Sequence, residues 1–144
     1  MKDRTRDPAY ALHAVVSLLD RAADDILPAL DLTYSRFLAL LTIERLEGAT
    51  QKAVADALGV TEPSASRAIR RLQEDGLVAS TAMPGVGNRR TVSLTDKGER
   101  VVDEAAAHLE RSFADLLKVA GLRPAQVLDL TDPLLAILTE GTNL

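Results

Sequence analysis

Apolar positions recur along most of this chain every three to four residues, the spacing that puts them on one face of a helix. The first such run is Leu12, Val15, Val16, Leu19, Ala22, Ala23 and Ile26. It starts behind Asp7-Pro8, an N-cap acid followed by a proline where no amide partner is needed. Pro28 biases Leu27 out of helical geometry and predicts the end of this helix. Thr33 caps a second, broadly apolar helix containing Phe37, Leu38, Leu40, Leu41, Ile43 and Leu46, closed by Gly48. Thr50 caps a short third helix, Gln51–Leu58, with Val54, Ala57 and Leu58 directed inward, and Gly59 supplies a tight turn.

The fourth helix lies within Val60–Gly76. Thr61 caps it, Pro63 stands in its first turn, and Ala65, Ala68, Ile69 and Leu72 form one face. Pro63, Arg67, Arg70 and Glu74 fall on the opposite face, flanked by Ser66 and Arg71. The pattern then changes to two short strand-like runs, Leu77–Thr81 and Thr91–Leu94, around a Gly/Pro-rich tip and Asn88-Arg89-Arg90. Thr95 with Asp96 opens a fifth helix that keeps its period to Gly121, about 25 residues or about 37 Å. Arg123-Pro124 opens a last helix, which Pro133 is expected to kink or break before the apolar Leu134–Leu138.

The fold class that follows is mainly α (α+β): a winged helix-turn-helix lobe over 33–95, with helical segments 7–30 and 96–144 outside it. The apolar terminal helices would leave a large exposed patch on a monomer, and a two-fold homodimer would cover it. Such a dimer also carries two recognition helices. No internal repeat divides the 144 residues, which read as one chain of a single type.

Composition sharpens this picture in two places. The net charge of −4 is unevenly spread: six basic residues face four acidic ones between Thr50 and Thr95, a net of +2, leaving −6 on the remainder. One basic surface inside an acidic protein suits a phosphate partner. Cysteine is absent, which removes disulfides, thiolate metal sites and thiol-based sensing. No cofactor or metal is expected, since His13 and His108 are far apart in sequence and have no cysteine to join them. No catalytic constellation or phosphate-binding glycine loop appears, so the chain is read as a non-enzyme. Every apolar run is broken by charge, so no membrane span is expected and the cytoplasm is the default location.

Candidate contacts follow from chemistry. Arg67 and Arg70 lead, because guanidinium bridges guanine O6 and N7 or grips phosphate oxygens. Thr61, Glu62, Pro63, Ser64 and Ser66 surround the first turn of the fourth helix, and Arg71 flanks it. Thr50 and Gln51 are placed to hold backbone phosphate from the start of the third helix. Asn88, Arg89 and Arg90 would lie along or in the minor groove.

The stretches LTYSRFLALLTI, TQKAVADALGVTEPSASRAIRRLQEDGLV and VSLTDKGERVVDEA resemble the MarR family of transcriptional regulators, and the likeness covers nearly the whole chain. It implies a homodimer of winged lobes joined by terminal helices, repressing genes from a pseudo-palindromic double-stranded DNA operator. It also implies, in many members, release by a small anionic effector held between dimer helices and lobe, here near His13, Tyr34, Arg36 and Phe113. Family wings often carry an Asp-x-Arg pair, whereas Val86 and Asn88 stand at those positions here. Arg89 or Arg90 takes the arginine's place if the hairpin is shorter. Two alternatives stay open: a winged-helix protein-interaction module without DNA readout, and a constitutive DNA-binding protein without a ligand.

Overall fold

A computed structural model describes residues 7–85, 87 and 89–141. Helix α1 spans Pro8–Ile26, α2 Tyr34–Arg45, α3 Gln51–Leu58, α4 Glu62–Glu74, α5 Asp96–Ala120 and α6 Pro124–Thr139. Strands β1 (Ala49–Thr50), β2 (Val78–Ala82) and β3 (Arg90–Leu94) form an antiparallel sheet in the order β1-β3-β2. The chain divides into two compact units, 1–106 and 107–144, with the boundary inside α5.

The helix starts follow the local rules that their caps obey. Asp7 accepts from the amides of Ala9 and Tyr10, and Thr33, Thr50 and Thr61 accept from Arg36, Ala53 and Ser64 respectively. Each contact satisfies an amide that has no partner inside its own helix. Thr50 does double duty, since it also pairs with Thr91 in the β1–β3 ladder. Two residues have no periodicity to read, which is why β1 is absent from the sequence pattern.

Two expectations from proline need correction. The first helix does end before Pro28, but Leu27 stays right-handed (φ −75°, ψ −22°) and the chain tightens into a 3₁₀ turn over Leu27–Leu30. Proline's missing N–H is harmless at the start of that turn. Pro133 lies inside α6 and does not break it, since the helix continues to Thr139. Proline removes one donor, and the hydrogen-bond ladder resumes beyond it.

In the first unit the core is built from Leu40 and Ile43 of α2, Val54 and Ala55 of α3, and Ala65, Ile69 and Leu72 of α4. Val78 and Val92 of the sheet and Val102 and Ala105 of α5 complete it. The inner face read for α4 is therefore the buried one, with Ala68 at its margin. In α3 the buried pair is Val54 and Ala55, while Ala57 is exposed and Leu58 half-buried. The short helix is seated about one position earlier than its sequence suggested.

Gly59 is the turn of the helix-turn-helix. Its φ of +65° is left-handed, and it caps α3 through its N–H to Ala55 and Asp56 carbonyls. Val60 N–H then returns to Ala55 O at 3.0 Å, closing the turn before Thr61 starts α4.

Gly98 answers to space rather than to dihedral angle. A Cβ built on it would lie 2.0 Å from Leu77 O. The α5 start and the α4–β2 junction touch backbone to backbone there. Thr95 N–H donates to Leu77 O (3.0 Å) and Thr95 Oγ1 to Gly76 O (2.6 Å), while Gly98 N–H donates to Thr95 Oγ1 (3.1 Å). This lock holds the hairpin against the end of α4.

Candidate nucleic-acid interface

The outer face of α4 is exposed along Arg67, Arg70 and Arg71. Among the described residues, no carboxylate pairs with these three or with Arg89 and Arg90; the ion pairs present are Arg36–Asp75, Lys52–Asp56 and Lys118–Asp115. Unpaired guanidinium groups on a rigid helix keep their full charge for a phosphate or base partner.

The first turn of α4 carries a small hydrogen-bond network. Thr61 Oγ1 accepts the Ser64 amide at 3.4 Å and donates to Ser64 Oγ at 3.0 Å. Arg67 Nη2 donates to the same Ser64 Oγ at 3.2 Å. Gln51 Nε2 reaches across from α3 to Ser66 Oγ at 3.3 Å. Gln51 thus braces the two helices of the motif, an arrangement beyond the phosphate contact expected of it. Residues 15 apart cannot be paired from spacing alone.

Helix α3, helix α4 and the hairpin enclose an open cleft of about 430 Å³. Thr50 lines it from β1, Gln51 and Lys52 from α3, Glu62 and Gln73 from α4, and Ser80, Arg89 and Arg90 from the hairpin. Of the sequence candidates, Thr50, Gln51, Glu62, Arg89 and Arg90 are therefore brought together around one cleft. Asn88, with Val86, lies outside the described residues.

The hairpin compensates for its missing acid. Arg90 Nε donates to Ser80 Oγ (2.8 Å) and Arg90 Nη2 to Ser80 O (3.0 Å). The register pairs Ala82 with Arg90 and Ser80 with Val92, so Ser80 is a diagonal neighbour on the same ladder. A hydroxyl and a carbonyl thus hold this arginine, for which the sequence offers no partner acid. Strand pairing was needed to find it.

The four effector candidates fall in different surroundings. His13 is exposed on α1. Tyr34 is half-buried, stacks on Phe37 with ring centroids 6.2 Å apart, and its amide is capped by Asp24 of α1. Burial, with a lesser push from Asp20, raises the Tyr34 phenol above its ordinary pKa, so it stays a neutral donor. Arg36 pairs with Asp75 at the C-terminal end of α4, and Lys97 Nζ donates to Asp75 O at 2.9 Å. This knot lines a separate cleft of about 340 Å³ with Leu30, Asp31 and Val101. Phe113 is on the distal part of α5, in the second unit, 37% exposed.

Comparison with known proteins agrees with this geometry. The MarR family model matches residues 30–87, which hold α2, the helix-turn-helix and the first hairpin strand β2. A MarR-family transcriptional regulator from Rhodococcus sp. RHA1 superposes with a TM-score of 0.82 at 23% identity, covering 95% of this chain and 96% of that one. CouR from Rhodococcus jostii RHA1 bound to p-coumaroyl-CoA gives 0.81 at 22% identity, with 100% and 99% covered. A mutant MarR from E. coli complexed with operator DNA gives 0.76 at 23% identity, with 96% and 99% covered. The fold is that of a winged helix-turn-helix protein. Residues 30–87 are thus similar to the MarR family, and the solved MarR-family structures share the fold of the whole chain.

Proposed function

We propose that this chain is a sequence-specific DNA-binding transcriptional regulator, working as a homodimeric repressor on a pseudo-palindromic operator. The observation that carries the proposal is the exposed α4 face: Arg67, Arg70 and Arg71 stand free of carboxylates beside a capped helix start. Each protomer would place α4 in the major groove, about 34–36 Å from its twin. Arg89 would meet phosphate from the hairpin, and Thr50 from the start of α3. A chromosomal target puts the protein in the cytoplasm. No single helix among the described residues is long and apolar enough to cross a membrane.

Dimerisation through segments 7–30 and 96–144 is supported by two unsatisfied apolar surfaces. Helix α1 exposes Tyr10, Val15, Val16 and Leu18, and α6 has no buried residue while exposing Leu134, Leu135 and Leu138. A second copy of the chain is the partner that would remove both from water. A small anionic effector would act by preferring a lobe spacing other than the one the operator needs.

The test is titration of a labelled fragment of the chain's own promoter at several salt concentrations, repeated with a panel of aromatic acids. Affinity for that fragment should exceed affinity for unrelated DNA by at least about 10³-fold and fall steeply with salt. A chain that binds promoter and unrelated DNA alike is no sequence-specific regulator. Salt-independent or absent binding would instead favour a protein-interaction module.

A further inference from the structure

We infer that Asp75 is a positioning residue for operator reading: through Arg36 and Lys97 it fixes the angle at which the far end of α4 meets DNA. The inference rests on the DNA-reading function proposed above. Asp75 is the C-cap of α4, at the end opposite Thr61. Its carboxylate pairs with Arg36 Nη2 in the first turn of α2. Its carbonyl accepts from Lys97 Nζ, in the first turn of α5, at 2.9 Å. Partners 39 and 22 residues away in sequence thus meet on the residue that closes α4. Arg36 depends on this contact. Its Nε is buried without an acceptor, and among the described residues Asp75 is the only side chain that accepts from it.

Packing alone leaves that angle free. Ala65, Ile69 and Leu72 seat α4 on the core, but apolar contact is non-directional. At its C-terminal end the helix borders the open cleft of about 340 Å³ beside Glu74, Asp75 and Lys97, where no close-packed layer restrains it. The polar bonds of Asp75 supply the missing restraint. Helix α4 has 13 residues, about 20 Å at 1.5 Å each, with the buried Ile69 near its middle. A swing of about 1 Å at Asp75 therefore moves the first turn by a similar distance. That is enough to stretch a base contact of about 2.9 Å beyond hydrogen-bonding range. The pair contributes little to the folding equilibrium, because its side chains are 29% and 51% exposed. Its effect falls on geometry.

Asp75→Asn and Arg36→Gln each break the pair, and they change the net charge in opposite directions. Long-range attraction alone would strengthen DNA binding in Asp75→Asn and weaken it in Arg36→Gln. Positioning predicts one result for both. In anisotropy titrations at fixed salt, the ratio of promoter-fragment affinity to unrelated-DNA affinity should fall about tenfold. The double variant should fall no further than either single one, because all three lose the same contact. The thermal midpoint should drop by at most about 4 °C. The salt slope should not move, since neither residue meets phosphate. Asp75→Glu, which keeps the carboxylate, should restore most of the ratio. Single variants that keep the wild-type ratio overturn the inference while the DNA-binding function stands. So does a parallel loss of promoter and unrelated-DNA affinity with a collapsed thermal midpoint, the mark of a purely structural pair. If the wild-type chain shows no preference for its promoter fragment, both readings fall.

Discussion

The contact between Gly98 and Leu77 gives a prediction whose size can be worked from the structure. In Gly98→Ala the new Cβ would meet Leu77 O at 2.0 Å and Leu77 C at 3.0 Å, both backbone atoms. A side chain could rotate aside, but a carbonyl already accepting from Thr95 N–H has no such freedom. Relief would require α5 to move away from the α4–β2 junction by more than 1 Å, on the order of a normal contact shortfall. Overpacking of this kind costs about 1–3 kcal/mol, and this case belongs at the upper end because neither partner is flexible. The shift also endangers the bonds from Thr95 to Leu77 and Gly76, each worth about 0.5–1.5 kcal/mol. Against these stands a gain of at most about 1 kcal/mol from alanine's helix propensity. The net expectation is a loss of about 2–4 kcal/mol. Urea unfolding followed by circular dichroism, with both proteins at one fixed protomer concentration, measures it. A Gly98→Ala variant as stable as the wild type would show that the close approach is not a feature of the folded protein.

Three further outcomes follow from the site. Arg67→Ala should lower operator affinity by about 1–3 kcal/mol without changing the unfolding midpoint, as read by anisotropy titration and thermal melting; unchanged affinity removes Arg67 from the interface. Arg89→Ala should weaken binding to all sequences alike and reduce the salt slope by about 1, and an unaltered slope would mean that the hairpin does not touch phosphate. Tyr34 should ionise above pH 10.0 in an ultraviolet phenolate titration, with Tyr34→Phe identifying its signal against Tyr10. Because its folded pKa is raised, the stability it contributes is fully present below its unfolded pKa and lost as pH climbs through the folded one. A Tyr34 midpoint at or below 10.0 contradicts that sign.

Much of the lobe is legible before folding because its instructions are short-range. Thr33, Thr50 and Thr61 each cap an amide three residues away, so the starts of α2, α3 and α4 are written in adjacent residues. The arginine face of α4 likewise follows from helical period alone. The terminal helices show their apolar character in sequence, yet α1 buries only Ala23. A pattern reveals that a face is apolar, not what covers it.

What tertiary structure decided lies in pairings between residues far apart in the chain. Gln51 with Ser66, Arg90 with Ser80, and Arg36 with Asp75 are separated by 15, 10 and 39 residues. Local propensity carries no term for such contacts, so Gln51 and Arg90 read as free DNA ligands until the fold gives them protein partners. The same holds for Gly98, whose φ is ordinary and whose constraint is the carbonyl of Leu77 pressed against it. Sequence alone determined where α4 begins and which face is basic, because capping and helical period act within a few residues. Only the folded lobe decided how Gln51 and Arg90 are held, because those bonds exist after separate segments have packed.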